Sequence, residues 1–279
     1  MTEPDGLPDP LHPKPAATVM LVRDGAPGIE AFLMRRTMSM AFAGGMTVFP
    51  GGGVDERDYE LFVASGDGDA DIAWTGPDRT WWAGKFGVDA VLAGALVCAA
   101  ARETFEECGV LFAGPAGDPD GIVSDASAYH DSRVALESRE LSFGEFLARE
   151  NLVLRADLLW PWANWITPKE ERTRRYDTFF FVGALPAGQR ADGNNTESDH
   201  VAWRTPTAAL KEFEDGHSFL LPPTWTQLSS LDGRTVAELF EDERTIVPIE
   251  PVLTMGEDTW DIEFFDAERY KAARSGRHQ

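Results

Sequence analysis

Arg102-Glu103-Thr104-Phe105-Glu106-Glu107-Cys108-Gly109-Val110 is the stretch whose reading decides the fold. It follows an alanine-rich run, Ala90 to Ala101, broken only by Gly94, with Asp89 placed as an N-cap and Gly109 as a C-terminal stop. The pattern predicts a helix over 90–108. Glu103, Glu106 and Glu107 then stand at i, i+3 and i+4, which stacks three carboxylates on one face. Phe105 and Cys108 point the other way, with Cys98 and Ala101 behind them. The helix is expected to start buried all round and to open at its C-terminal end onto an acidic face reached by solvent.

Three like charges this close repel, and they sit where the helix dipole is also negative. A solvated helix face usually relieves such a conflict with lysine or arginine at i, i+4, and a plain glutamate patch is the commoner meaning of E-x-x-E-E. Here Arg102 is the only nearby cation, about a quarter-turn away. A divalent ion would remove the conflict, and magnesium or manganese, which take oxygen ligands, suit a carboxylate cluster facing phosphates.

Upstream, Phe49-Pro50-Gly51-Gly52-Gly53-Val54-Asp55-Glu56-Arg57-Asp58 reads as a strand end entering a glycine turn. Together the two pieces resemble the signature of the Nudix hydrolases, Gly-x5-Glu-x7-Arg-Glu-U-x-Glu-Glu-x-Gly-U with U apolar. Gly52 is the opening glycine, and Arg102, Glu103, Glu106, Glu107, Gly109 and Val110 fit the tail. Thr104 replaces an apolar residue, Asp58 stands where the first glutamate is expected, and 43 residues separate Asp58 from Arg102 in place of seven. A long insertion at this point also occurs in one branch of the family.

Composition sets the outer bounds. A chain of 279 residues, 43% hydrophobic and 11% aromatic, can bury one substantial core. Its net charge of −22 argues against a nucleic-acid or anionic-membrane binder. Cys98 and Cys108 are too far apart on one helix for a disulfide there, which suits a reducing compartment. No stretch approaches the ~20 apolar residues of a membrane span, and no signal peptide is evident. The expected location is cytoplasmic. A homodimer is compatible with all of this.

In chain order, residues 1–15 read as a proline-rich arm, 16–255 as one domain, and 256–279 as an extension. Ala17–Val22 and Ile29–Arg36 read as a hairpin around an Arg23–Gly28 turn. Arg35 and Arg36 end its second strand, and only one of them can face a site; Arg36 is taken as that one. A glycine-bearing loop, Met38–Gly45, and a short strand, Met46–Phe49, lead into the glycine turn. Within the box insertion, about 59–88, Ser65–Ile72 reads as a solvated acidic loop. Asp78–Phe86 reads as a short helix stopped by Gly87, with Trp81 and Trp82 packing it onto the body. A second insertion, about 124–152, carries helices over Asp131–Leu141 and Ser142–Glu150, the latter with a Ser142/Glu145 capping box. Leu158–Thr167 and Tyr176–Leu185 read as core strands joined by the one basic cluster, Pro168 to Arg175, whose Arg174 and Arg175 are candidate phosphate forks. Thr207–Glu214 reads as a helix, Trp225–Phe240 as a last long helix, Ile246–Leu253 as an edge strand, and Arg274–Gln279 as a polar tail. His200 and His217 read as surface histidines.

The fragments FLMRRT (32–37), WITP (165–168), RRYDTFFFVGALP (174–186) and LLPPT (220–224) narrow the resemblance to the branch that includes coenzyme A diphosphatases. The resemblance implies an α/β/α sandwich around a mixed sheet and hydrolysis of a nucleoside diphosphate linked to a moiety X. It implies Mg²⁺ or Mn²⁺ at Glu103, Glu106 and Glu107, which would lower the pKa of a bound water. It gives Arg102 the task of orienting the glutamates, and the Gly51–Gly53 backbone that of shaping the site. An acidic residue beyond the box, Glu197 first and Asp199 second, would complete the metal site or act as base, and a metal-bridging glutamate of the box is the other candidate base. Coenzyme A or an acyl-coenzyme A is the expected substrate. The alternatives are ADP-ribose, a dinucleotide, a nucleotide sugar or a capped RNA end, and a silent Nudix-fold binding module.

Overall fold

Period-2 alternation along the strands divides the apolar residues between two cores, one on each face of a single sheet. Val19, Leu21, Phe32, Met34, Phe179 and Phe181 enter one core, while Met20, Val22, Ala31, Leu33, Phe180 and Val182 enter the other. The computed structural model describes residues 11–26, 28–38, 44–62, 72–255 and 260–275. The strands are β1 (Lys14–Gly25), β2 (Gly28–Arg36), β3 (Thr47–Val48) and β4 (Gly51–Gly53), followed by helix α1 (Glu56–Glu60). Next come β5 (Trp74–Thr75), α2 (Arg79–Phe86), α3 (Ala90–Cys108), β6 (Ala113–Pro115), α4 (His130–Glu137), α5 (Phe143–Arg149) and β7 (Leu152–Arg155). The remainder is β8 (Leu159–Ile166), β9 (Tyr176–Ala184), β10 (Ser198–Arg204), α6 (Pro206–Glu214), α7 (Pro222–Leu231), α8 (Val236–Phe240), β11 (Val252–Met255), β12 (Trp260–Glu263) and α9 (Ala267–Ser275).

The main sheet runs β10-β2-β1-β9-β8, with β3 added to β2 and β4 to β1. It is mixed, because β1 and β9 pair in parallel and the other neighbours are antiparallel. Helices α2, α3 and α5 cover one face, with Trp82, Phe105 and Phe146 fully buried there. Helices α6, α7, α8 and α9 cover the other, through Phe213, Leu228, Leu239 and Tyr270. This is the expected α/β/α sandwich. Among the described residues no single helix is long and apolar enough to cross a membrane.

The feature that positions the site is a split between β1 and β2. The two pair through Val22–Gly25 and Gly28–Ala31, while the first half of β1 pairs on that same edge with β4. The three glycines are therefore a short strand filling the split, not the free turn expected. Gly51 is required there by crowding, since a Cβ would run into the Ala17 carbonyl and Thr18.

Several boundaries depart from expectation. β1 begins at Lys14, inside the residues read as an arm, because its backbone finds β9 as a partner from Tyr176 onward. The hairpin turn is tighter, with Gly25 paired to Gly28. The long C-terminal helix is two, α7 and α8, separated at Gly233 in the left-handed region (φ 74°). The first helix of the second insertion stops at Glu137, leaving Arg139 outside it with φ 61°. The edge strand expected at 246–253 contributes one bridge, Ile249 to Trp165, and β11 pairs instead with β12. In the extension, α9 is docked, its Tyr270 hydroxyl donating to the Leu220 carbonyl at 3.0 Å. Residues 1–10, 39–43, 65–71 and 276–279, on which the arm, the glycine-bearing loop, the acidic loop and the tail largely fall, lie outside the described residues.

Within the first insertion, Asp78 caps α2 and Gly87 ends it at φ 69°. Trp82 is fully buried against Phe86 and Phe181, and the partly buried Trp81 packs against Trp160. Removing a ring placed like that of Trp82 costs about 3–5 kcal/mol. The tryptophans attach the insertion to the body, as read. The Ser142/Glu145 capping box forms at α5.

Candidate active site

Helix α3 is set by its ends. Asp89 accepts from the Val91 and Leu92 amides, and Gly109 turns left-handed at φ 70°. Its N-terminal turn is only half-buried at Val91 and Leu92, and its C-terminal turn is more enclosed than expected. Glu107 is 6% exposed and lies under β4, its Oε2 accepting from the Gly51 amide at 2.7 Å. Glu103 lies against Gly52, where a Cβ would come within 2.5 Å of its carboxyl carbon. The opening glycine of the box thus makes room for a carboxylate. Thr104, the departure from the apolar pattern, is fully buried and donates to the Ala100 carbonyl at 2.7 Å, so its hydroxyl is satisfied within the helix.

Arg102 joins the two halves of the interrupted motif. Its Nε and Nη2 donate to Asp58 at 3.0 and 2.8 Å, its Nη2 to the Gly53 carbonyl at 3.0 Å, and its Nη1 to Glu103 at 2.7 Å. Glu106 is 3.4 Å from the same Nη1. Asp58 is 2% exposed, so the residue in place of the expected glutamate is an anchor for Arg102. Arg102 thus contacts Asp58, Glu103, Glu106 and the Gly53 carbonyl at once.

One arginine does not balance Asp58, Glu103, Glu106 and Glu107. Burial pushes the Glu106 carboxyl up to about 7, with Glu103 as the next cause. Burial raises Glu103 also, and raises Glu107 well above the carboxylate range, with the Glu103 charge adding to it. Such a set of buried oxygen donors short of positive charge fits a hard divalent cation. In this conformation Glu103 is turned to Arg102 and Glu107 to Gly51, and among the described residues no three acidic, histidine or cysteine side chains already converge as a metal cage.

Arg102, Glu103 and Glu107 line a cleft of about 610 Å³ together with Gly51 to Gly53, while Glu106 and Asp58 are not among its lining residues. Glu197 faces the same cleft, paired with Arg36 at 3.1 Å. A bulge in β10 between Ser198 and His200 separates Glu197 from Asp199, which pairs with Arg35 at 2.7 Å. Arg36 and Glu197 therefore come together at the cleft, and Arg35 and Asp199 do not line it. Arg174 lines the cleft, and its guanidinium has no ion-pair partner among the described residues. Its neighbour Arg175 is spent elsewhere, buried against Glu250 at 2.5 Å and donating to the Thr167 and Leu11 carbonyls. Of this pair, which lies just ahead of β9, Arg174 alone lines the cleft. His200 and His217 are exposed and outside it.

Three contributors were missed by the sequence reading. Arg139 lines the cleft beside Asp55, 3.8 Å away, only because α4 ends early. Arg133, buried, donates through Nε to the Glu106 carbonyl at 3.0 Å and through Nη1 to Asp192. Asn195 donates to the Glu107 carbonyl at 2.7 Å. No local pattern announces these; each depends on a contact across 27 residues or more.

The chain matches the family model of the NUDT19 Nudix domain over residues 14–231. It is 28% identical over 228 residues to an acyl-coenzyme A diphosphatase NUDT19 of Xenopus laevis, covering 72% of this chain and 59% of that protein. The corresponding protein of Gallus gallus is 27% identical over 258 residues, covering 79% and 68%. The chain thus spans well under two thirds of the length of the first of these. A crystal structure of a NUDIX hydrolase from Alicyclobacillus acidocaldarius superposes with a TM-score of 0.68 at 23% identity, over 84% of this chain and 98% of that one, which is a likeness of fold. The arginine-and-glutamate helix end lies under a glycine strand inside the matched span, and the chain belongs to the NUDT19 Nudix domain family.

Proposed function

We propose that this protein is a metal-dependent diphosphatase whose substrate is coenzyme A or an acyl-coenzyme A, cleaved to 3′,5′-ADP and 4′-phosphopantetheine or its acyl form. The observation that carries this reading is the excess of buried carboxylate at the end of α3, opening on a cleft whose rim bears Arg36, Arg139 and Arg174. The two relatives named acyl-coenzyme A diphosphatase support the choice of substrate.

Glu103, Glu106 and Glu107 would hold Mg²⁺ or Mn²⁺. When bound, such an ion supplies neutralisation of the diphosphate and a more acidic water. Arg102, already bonded to Asp58, Glu103 and the Gly53 carbonyl, would hold the glutamate side chains in place by ion pairing and not by touching substrate. Arg174 offers a free guanidinium to a phosphate. Glu197, half-exposed and paired with Arg36, would accept a proton at its carboxylate from the attacking water. The two buried free cysteines fit a reducing compartment, which the reading takes to be the cytoplasm.

The test is a substrate panel of coenzyme A, an acyl-coenzyme A, ADP-ribose, NADH and a nucleotide sugar, each with Mg²⁺ and with Mn²⁺, the products separated by chromatography. Fastest turnover of a coenzyme A species, with release of 3′,5′-ADP, is expected. Preference for ADP-ribose or NADH would overturn the substrate assignment and keep the hydrolase.

A further inference from the structure

The last-turn carbonyls of α3, which a helix leaves without intrahelical partners, are taken up one after another by a single loop and its attendant arginine. The Glu106 carbonyl accepts from Arg133 Nε, the Glu107 carbonyl from Asn195 Nδ2, and the Cys108 carbonyl from the Asp192 amide at 2.9 Å. Arg133 in turn holds both oxygens of Asp192, at 2.9 and 3.0 Å. Arg133 and Asp192 therefore secure the helix end without touching the other wall of the cleft. Asn195 differs. While its Nδ2 donates to Glu107, its Oδ1 accepts from the Glu197 amide at 2.9 Å, the Ser198 amide at 2.8 Å and the Ser198 hydroxyl at 3.0 Å. One amide side chain thus spans the backbone of the most buried glutamate of α3 and the backbone of the acidic residue that lines the same cleft just ahead of β10.

We propose that Asn195 is a positioning residue that fixes Glu197 relative to Glu107, and so sets the geometry of the whole carboxylate cluster. The inference rests on the hydrolase reading. A helix cap alone would need only the donor, and a loop turn alone would need only the acceptor. Asn195 uses both, in opposite directions, on the two residues that the reaction would bring to one phosphate. Alanine offers neither group, aspartate only acceptors, and serine a donor and acceptor on one shorter-reaching atom, whereas the asparagine amide carries the two on separate atoms.

Asn195→Asp separates the two halves: the carboxylate still accepts from Glu197 and Ser198 but cannot donate to the Glu107 carbonyl. Ser198→Ala is the converse control, since it removes one contact of the turn and keeps the bridge. Each variant is assayed for coenzyme A turnover with Mn²⁺, for Mn²⁺ binding by calorimetry without substrate, and for thermal unfolding. For Asn195→Asp a kcat loss on the order of 10- to 100-fold is expected, with KM changed by less than about threefold. Mn²⁺ binding should weaken by about tenfold, the scale for supports of metal ligands. Ser198→Ala should stay within about twofold of wild type on each readout, as expected when the bridge is intact. Wild-type kcat and Mn²⁺ affinity in Asn195→Asp would overturn the proposal, and so would an equal loss in Ser198→Ala. If wild type turns over none of the substrates, the hydrolase reading fails, and the Mn²⁺ titrations of the two variants still decide whether Asn195 positions the cluster.

Discussion

Removing Arg102 should destabilise the metal-free protein more than the lost packing of one side chain explains. Arg102 and Asp58 form a buried pair, with side chains 8% and 2% exposed and two hydrogen bonds of 3.0 and 2.8 Å. In Arg102→Met, Asp58 would keep only the Asp55 amide at 2.9 Å and the Cys98 thiol at 3.6 Å, and Glu103 and Glu106 would lose their shared cation. An uncompensated buried charge of this kind costs about 3–5 kcal/mol. At roughly 2–4 °C per kcal/mol for a large domain, melting should fall by roughly 6–20 °C. Asp58→Asn keeps the shape and removes the charge, so the double variant should recover part of the loss. A urea-unfolding cycle in chelator should show the two changes coupled by about 1–3 kcal/mol. Additivity within about 0.5 kcal/mol would refute the reasoning, because it would mean that the two halves of the interrupted motif are not joined by this pair.

Gly52→Ala would push a methyl group into the Glu103 carboxylate, so activity should fall on the order of 10²-fold while the fold persists; wild-type kinetics in that variant would show that Glu103 is free to move. Arg174→Ala should raise KM with kcat little changed, whereas Arg175→Ala, which breaks a buried pair with Glu250, should lower the melting temperature and leave KM alone; the opposite pattern would exchange the two assignments. Glu106 binds its proton more tightly folded than unfolded, at about 7 against an ordinary 4.5. Its contribution to stability is therefore full below the unfolded value and is lost as pH rises through about 7. Relative to Glu106→Gln, metal-free wild type should lose melting temperature between about pH 5 and about pH 8, and Mn²⁺ should erase the difference. Parallel pH profiles would show that Glu106 is not strained by its neighbours.

The layered fold and the floor of the site were readable because their signals are local. Asp89 and Gly109 bound α3 to the residue, and the i, i+3, i+4 glutamates follow from helix geometry. The apolar runs of β8 and β9 likewise show themselves. What escaped depends on pairing across the chain. The three glycines look like a turn until β1 is seen to part from β2 and accept them as a strand. Nothing in Arg174-Arg175 says which arginine turns to Glu250, since that depends on where β9 starts its alternation. Arg139 enters the cleft through a left-handed residue after an early helix stop, and Asn195 through a contact with a helix 88 residues away. Asp58 departs from the glutamate of the motif, and the structure gives the departure a reason: an aspartate reaches Arg102 from the end of its own capping box.

The most direct measurement of the central claim is release of 3′,5′-ADP from coenzyme A with and without Mn²⁺, by wild type and by Glu107→Gln, with Mn²⁺ binding followed calorimetrically on the same samples. The account predicts metal-dependent release by wild type, and loss of both Mn²⁺ binding and release in the variant, with both proteins folded. Release that persists in Glu107→Gln, or in chelator, would contradict it, because the carboxylates at the end of α3 would then not be the centre of the reaction.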